Sequence, residues 1–212
     1  MPVIECKDCK ECMLRRDGIC PVPGEGDMDA NVMFVGRDPG ETENRFGRPF
    51  VGASGKFLRE EIELNFAKKD IFITNMVKCH TMNNMGPLED QILSCFKILE
   101  SEITSVLPNV IVALGKTVSD YLISNPNYIY NVDIRKKQMF DINGKEFEVN
   151  ILGYDFIVIP MYHPSPRNFD KYELIRNGIR EISETYGTNA GTNEKEIERN
   201  EEIEEEGKNS ME

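Results

Sequence analysis

Six cysteines constrain this chain more than any other feature, above all Cys9 and Cys12 near the start and Cys79 and Cys95, with fifteen residues between them, in the middle. Two such pairs, distant in sequence, can close one four-thiolate cage around an iron–sulfur cluster or a zinc ion. A fold that does so must bring the N-terminal segment against the helix that carries Cys95. The first residues lack a basic start followed by an apolar stretch, so no export signal is read there. Thiols in that setting read as metal ligands rather than disulfides, and the expected compartment is the cytoplasm. Cys6, Cys9 and Cys12 also stand at three-residue intervals ahead of Cys20-Pro21, partly like a bacterial ferredoxin run. The last gap, however, is seven residues where three are expected.

The rest of the chain alternates short apolar runs with helical patterns. Residues 31–35, 71–76, 110–114 and 156–160 read as buried strands. Ser54 can cap a helix to about residue 65, and Pro87 opens a longer one that Pro108 stops. Gly115 leads into a helix through residue 123, and residues 172–186 form the last. Asn143-Gly144, between 138–141 and 146–150, reads as a two-residue hairpin turn. This pattern predicts an α/β fold: three layers, α/β/α, with a central mainly parallel four-stranded sheet and an appended hairpin. Residues 1–186 make the domain. Residues 187–212 are Glu-rich and read as a disordered tail, solubilising or open to a protein partner.

In such sheets the working residues lie just beyond the carboxyl ends of the strands. Three polar motifs fall there: Gly36-Arg37-Asp38-Pro39-Gly40, then Asn75 through Cys79, then His163-Pro164-Ser165-Pro166-Arg167-Asn168. A further motif, Gly47-Arg48-Pro49-Phe50-Val51-Gly52, follows the first. With the cysteine spacing, these segments resemble the uracil-DNA glycosylase superfamily, and most closely its iron–sulfur-containing family 4. The likeness runs from about Cys9 to Tyr186 and is weakest over 125–155.

The resemblance implies a [4Fe–4S] cluster on Cys9, Cys12, Cys79 and Cys95, since Leu14 and Gly24-Glu25-Gly26 stand where the family has them. Cys6 and Cys20 are then spares, with Cys20 the alternative ligand. The cluster's implied role is structural, because four protein ligands leave no open site. The resemblance also implies Phe50 as the ring on which a flipped base stacks and Asn75 as the amide that reads the uracil edge. Gly36, Arg37 and Glu43 complete the pocket, Glu43 near the edge where thymine carries its methyl group. His163 is the implied electrophile, a neutral imidazole that stabilises the departing uracil anion. Arg167 and Ser165 stand where the superfamily meets DNA, Arg167 as a minor-groove wedge.

Asp38 departs from the family. Family 4 usually reads Gly-Glu-Ala/Gly-Pro-Gly where this chain has Arg37 and Asp38, and an acid at Asp38 is what family 1 uses to position water. Asp38 and His163 are the expected catalytic residues, with the alternative that Arg37 in place of the usual Glu marks a subgroup with altered substrate or reduced activity. The expected reaction is hydrolysis of the N-glycosidic bond of uracil in DNA, leaving an abasic site, by a monomer.

Three rivals stand beside it. A non-catalytic iron–sulfur nucleic-acid-binding module would suit the Arg37 change and the acidity. A ferredoxin-like electron carrier is opposed by the broken cysteine run. A covalent uracil-trapping relative would need a basic inserted loop, which residues 80–87 lack. The net charge is −12, of which −6 falls in 187–212, so DNA contact must come from a local basic surface. Arg37, Arg45, Arg48, Lys56, Arg59, Lys78, Arg167 and Lys171 are the candidates. No apolar run approaches the roughly 20 residues needed to span a bilayer.

Overall fold

The computed structural model describes residues 12, 14, 21–81 and 85–187. Cys6, Cys9, Cys20 and the acidic stretch beyond residue 187 lie outside the described residues. Four parallel strands form the centre: β2 (Val32–Gly36), β3 (Ile71–Asn75), β4 (Val110–Leu114) and β6 (Tyr154–Met161). Two antiparallel edges extend them, β1 (Glu25–Gly26) on β3 and β5 (Phe147–Ile151) on β6. The order across the sheet is β1-β3-β2-β4-β6-β5.

Every residue of β2, β3 and β4 is buried, as expected for parallel strands covered on both faces. Alternate residues feed two cores. Val32 and Phe34 pack with Leu58 and Ile62 of α2 (Ala53–Asn65) and with Ile175 and Ile179 of α6 (Tyr172–Tyr186). Met33 and Val35 pack on the other face with Ile92, Leu99 and Ile103 of α3 (Glu89–Val106) and Val118 and Leu122 of α4 (Lys116–Ile123). The three layers follow from this alternation. α3 stops where Leu107 turns left-handed ahead of Pro108. α2 starts from Gly52 rather than from a capping Ser54. A short helix, α1 (Glu41–Phe46), follows β2, and one helical turn, α5 (Met139–Ile142), precedes β5.

The hairpin is not where Asn143-Gly144 put it, and it is no appendage. Residues 139–142 coil into α5, and the Gly144 N–H donates to Pro160 O instead of closing a two-residue turn. β5 turns back into β6 through Leu152-Gly153, whose φ values of 53° and 95° are those of a type I′ turn. The hairpin strand β5 thus extends the central sheet at one edge and, with β1 at the other, brings it to six strands. No helix among the described residues is long and apolar enough to cross a membrane.

Candidate active site

β2 pairs with β3 on one side and β4 on the other, so chain direction around the sheet switches beside it. A crevice opens outside the strand ends at such a point. Here it is a cleft of about 580 Å³ lined from four strand ends: Arg37 to Glu43 after β2, Asn75 at the end of β3, Leu114 to Thr117 after β4, and His163, Ser165 and Arg167 after β6. Phe50, with Gly52, Ala53 and Ser54, forms its remaining wall. The predicted catalytic, substrate-facing and DNA-facing residues therefore share one cleft, with Gly36 beneath them. The fourth strand end, Gly115-Lys116-Thr117, was not singled out in the sequence, although a strand–glycine–helix junction there was the available signal.

Gly36 and Asn75 sit opposite each other in register, and the pairing continues past the strands through Met76 N–H to Gly36 O and Val77 N–H to Arg37 O, 2.7 and 2.8 Å. A Cβ on Gly36 would lie 2.4 Å from Asn75 Oδ1 and 2.5 Å from Phe50 Cζ. Only glycine lets the amide and the ring close over the strand end. Phe50 is itself buried, with φ 53°. Arg59 of α2 holds that conformation, its Nε donating to Phe50 O and its Nη2 to Pro49 O, 2.8 and 2.7 Å. Glu43 is buried on α1, and its Oε1 accepts the Gly52 N–H at 2.7 Å. The carboxylate thereby fastens the loop after Phe50 to the first motif.

Asp38 has both oxygens engaged. Oδ1 accepts from Arg37 Nε and Oδ2 from Thr81 Oγ1, the latter at 2.8 Å. An ionised carboxylate offers about four lone-pair sites, so room remains to orient a water. Thr81 escaped the sequence reading because its part here is a contact across 43 positions. His80 fastens the same loop, its Nδ1 lying 3.0 Å from Pro39 O. His163 is half-buried, its ring 6.3 Å from that of Phe50. Burial, with Arg37's positive charge second, holds its pKa down to about 4, against the opposing pull of Asp38 and Glu43. The imidazole is neutral at pH 7. Its loop is stiff: Ser165 N–H and Asn168 Nδ2 both donate to His163 O at 2.8 Å.

Of the basic candidates, Lys78 is corrected. It is 1% exposed and ion-paired to Glu102 inside the protein, because the strand end turns it inward under Asn75. Arg48 and Arg59 both engage Glu25, and Lys171 pairs with Asp170. Arg167 is exposed at the cleft mouth.

Cys12, Cys79 and Cys95 are buried in one core cluster, and the Lys78 N–H donates to Cys95 Sγ at 3.2 Å. Among the described residues no group of three or more His, Cys, Asp or Glu gathers closely enough to hold a metal ion. The fourth expected thiol, Cys9, lies outside the described residues. As a donor set the three thiols suit an iron–sulfur group: sheltered from water, with an N–H directed at one sulfur.

A carboxylate, a neutral imidazole and a primary amide beside a buried ring, at the switch point of a doubly wound sheet, define an α/β protein with a cleft for a flat, hydrogen-bonding heterocycle. The model of the uracil DNA glycosylase superfamily matches residues 23–184. The chain belongs to that superfamily. It is 36% identical over 184 residues to a type-4 uracil-DNA glycosylase of Saccharolobus solfataricus, covering 85% of this chain and 82% of the relative. The type-4 enzyme of Sulfurisphaera tokodaii is 39% identical over 165 residues, 77% of this chain and 71% of the relative. That of Thermotoga maritima is 35% identical over 177 residues, covering 83% and 82%.

Proposed function

We propose that this chain is a uracil-DNA glycosylase of the type-4 kind, a monofunctional hydrolase that releases uracil from DNA and leaves an abasic site for base excision repair. The observation that carries the reading is the convergence of Asn75, Phe50, Asp38 and a neutral His163 on one cleft.

Each group has one task. The flipped uracil stacks against Phe50, and the Asn75 amide offers a donor and acceptors to its carbonyl and ring N–H. Cytosine presents an amine in the wrong sense and is rejected. Glu43, fixed by Gly52 N–H, closes the pocket edge against the thymine methyl group. As the glycosidic bond breaks, negative charge gathers on the base. His163 donates its N–H to the oxygen beside that bond and spreads the charge, and neutrality suits it to do so without giving up a whole proton. Asp38, held by Arg37 and Thr81, orients a water toward the sugar carbon and offsets the positive charge there. Arg167 enters the vacated stack and Ser165 meets the backbone phosphate. Cys9, Cys12, Cys79 and Cys95 would hold a [4Fe–4S] cluster that braces the N-terminal segment against α3 and takes no part in the chemistry. The chain would act as a cytoplasmic monomer.

The test is base release from a uracil-containing oligonucleotide by wild type, Asp38→Asn and His163→Ala. Strong release by wild type that collapses in both variants supports the reading. A second reading, a DNA-binding module without catalysis, draws on the engagement of both Asp38 oxygens and on the acidic body. Tight binding of uracil-containing DNA with no release by cluster-loaded protein would favour it.

A further inference from the structure

The least expected group in the molecule is a lysine in the core. Lys78 Nζ spends its three donors on Thr74 Oγ1 at 2.6 Å, Asn75 O at 2.7 Å and Glu102 Oε2. Glu102, 3% exposed, also accepts from Thr74 Oγ1 at 2.7 Å, and its Oε1 takes the Gly24 N–H at 3.3 Å. Lys78, Thr74 and Glu102 thus close a triangle directly under the end of β3. The backbone of the same lysine reaches two other segments. Its N–H donates to Cys95 Sγ at 3.2 Å, and its carbonyl accepts the Val22 N–H at 2.7 Å.

Taking two charges out of water is costly, and apolar residues of the same volume often stabilise a core as well or better. What an ion pair adds is direction. The Asn75 carbonyl is held from below by Lys78, while its side-chain amide is pressed from the side against Gly36. Fixing the carbonyl fixes the peptide plane, and with it the line along which the amide leaves the backbone. A recognition group must be held within about 0.5 Å and 10–20° of its working geometry, and supporting hydrogen bonds provide that.

We propose that Lys78, clamped by Glu102, is a positioning residue for base recognition, aiming the Asn75 amide and making the pocket depend on the cysteine-bearing segments that Lys78 also joins. This rests on the reading of the cleft as a uracil pocket.

The experiment compares wild type, Lys78→Met and Lys78→Met/Glu102→Leu as cluster-loaded full-length protein. It measures inhibition by free uracil, binding to abasic-site DNA, thermal midpoint and iron content. The single variant leaves Glu102 buried without its partner and is expected to lose stability. The double variant removes both charges but leaves Thr74 Oγ1, the Gly24 N–H and Asn75 O without those partners, and is expected to recover most of the lost midpoint and the wild-type iron content. Under the proposal, free uracil still inhibits it at least tenfold more weakly, while affinity for abasic-site DNA, which lacks the base that Asn75 reads, stays within twofold of wild type. Recovery of uracil inhibition along with stability would overturn the proposal, leaving Lys78 as core filling. So would a parallel loss of uracil and abasic-DNA affinity, or a double variant that still lacks iron, since Lys78 would then serve the fold alone. Wild-type protein that neither releases nor binds uracil would instead refute the reading of the cleft.

Discussion

His163 shows how one residue's surroundings set its chemistry. The unfolded chain takes up its proton near the ordinary histidine value of 6.5, the folded chain only near 4. Stability from keeping this ring neutral is therefore fully present above 6.5 and is lost as pH falls toward 4, by about 3 kcal/mol. Between pH 7 and 4.5, wild type should lose more thermal stability than His163→Ala, and parallel melting curves would refute this. At neutral pH the same variant should release uracil about 10²–10³-fold more slowly, measured in single-turnover assays. Arg37 is the second cause of the depression, so Arg37→Ala should move the acid limb of kcat/KM to higher pH. An unmoved limb would mean that burial alone sets the value. The strand-end positions of His163, Asp38 and Asn75 in the cleft were legible because each lies at, or two residues beyond, the end of a buried run. Thr81 was not, since only the folded loop brings its hydroxyl to Asp38.

The element that shapes the pocket is α2, and it does so through its first turn. A Cβ on Gly55 would lie 2.0 Å from the carbonyl carbon of Phe50, backbone against backbone, with no flexible side chain to yield. One turn later Arg59 holds the carbonyls of Pro49 and Phe50. On helix propensity alone, Gly55→Ala should stabilise by about 1 kcal/mol. The close approach should win: we expect a lower urea midpoint together with weaker inhibition by free uracil, because Phe50 is displaced. A midpoint equal to or above wild type would show that the contact is not tight. The sequence placed the parallel strands and long helices to within a residue or two, since burial on both faces writes unbroken apolar runs and amphipathic helices write their period. It misplaced the hairpin because Asn143-Gly144 carries the stronger local signal, whereas Leu152 adopts a positive φ that its own side chain disfavours. There the β5–β6 pairing overrides the local preference. The two-residue β1 has no pattern to read, Gly26 within it and Gly24 just before it serving close approach to β3.

At the scale of the whole molecule, an acidic protein must meet a polyanion. Of the −12 net charge, half belongs to residues 1–186. The fold then occupies several of the cations that remain: Arg48 and Arg59 share Glu25, Arg176 binds Glu61 and Glu173, and Lys78 is buried with Glu102. Lys116, at the cleft wall, is tied to Asp120 and to two backbone carbonyls. Arg167 is exposed at the cleft mouth with no ion pair among the described residues, and Arg45 of α1 and Lys56 of α2, close to cleft-lining residues, are exposed as well. Binding should therefore rest on the pocket and on very few phosphates. Each phosphate neutralised on a duplex contributes about −0.9 to the slope of log K against log salt. With three such side chains beside the cleft, we expect a slope no steeper than about −3 for binding of a uracil-containing duplex by the Asp38→Asn protein. Arg167→Ala in that background should flatten the slope by about 0.9 if the guanidinium meets a phosphate. It should leave the slope unchanged, while lowering affinity for duplex more than for single strand, if the side chain instead fills the vacated stack. Fluorescence anisotropy across a salt series reads both quantities. A slope of about −6 or steeper would require a wider basic face than these three side chains make, and would refute the argument that the pocket, rather than the field around it, carries recognition.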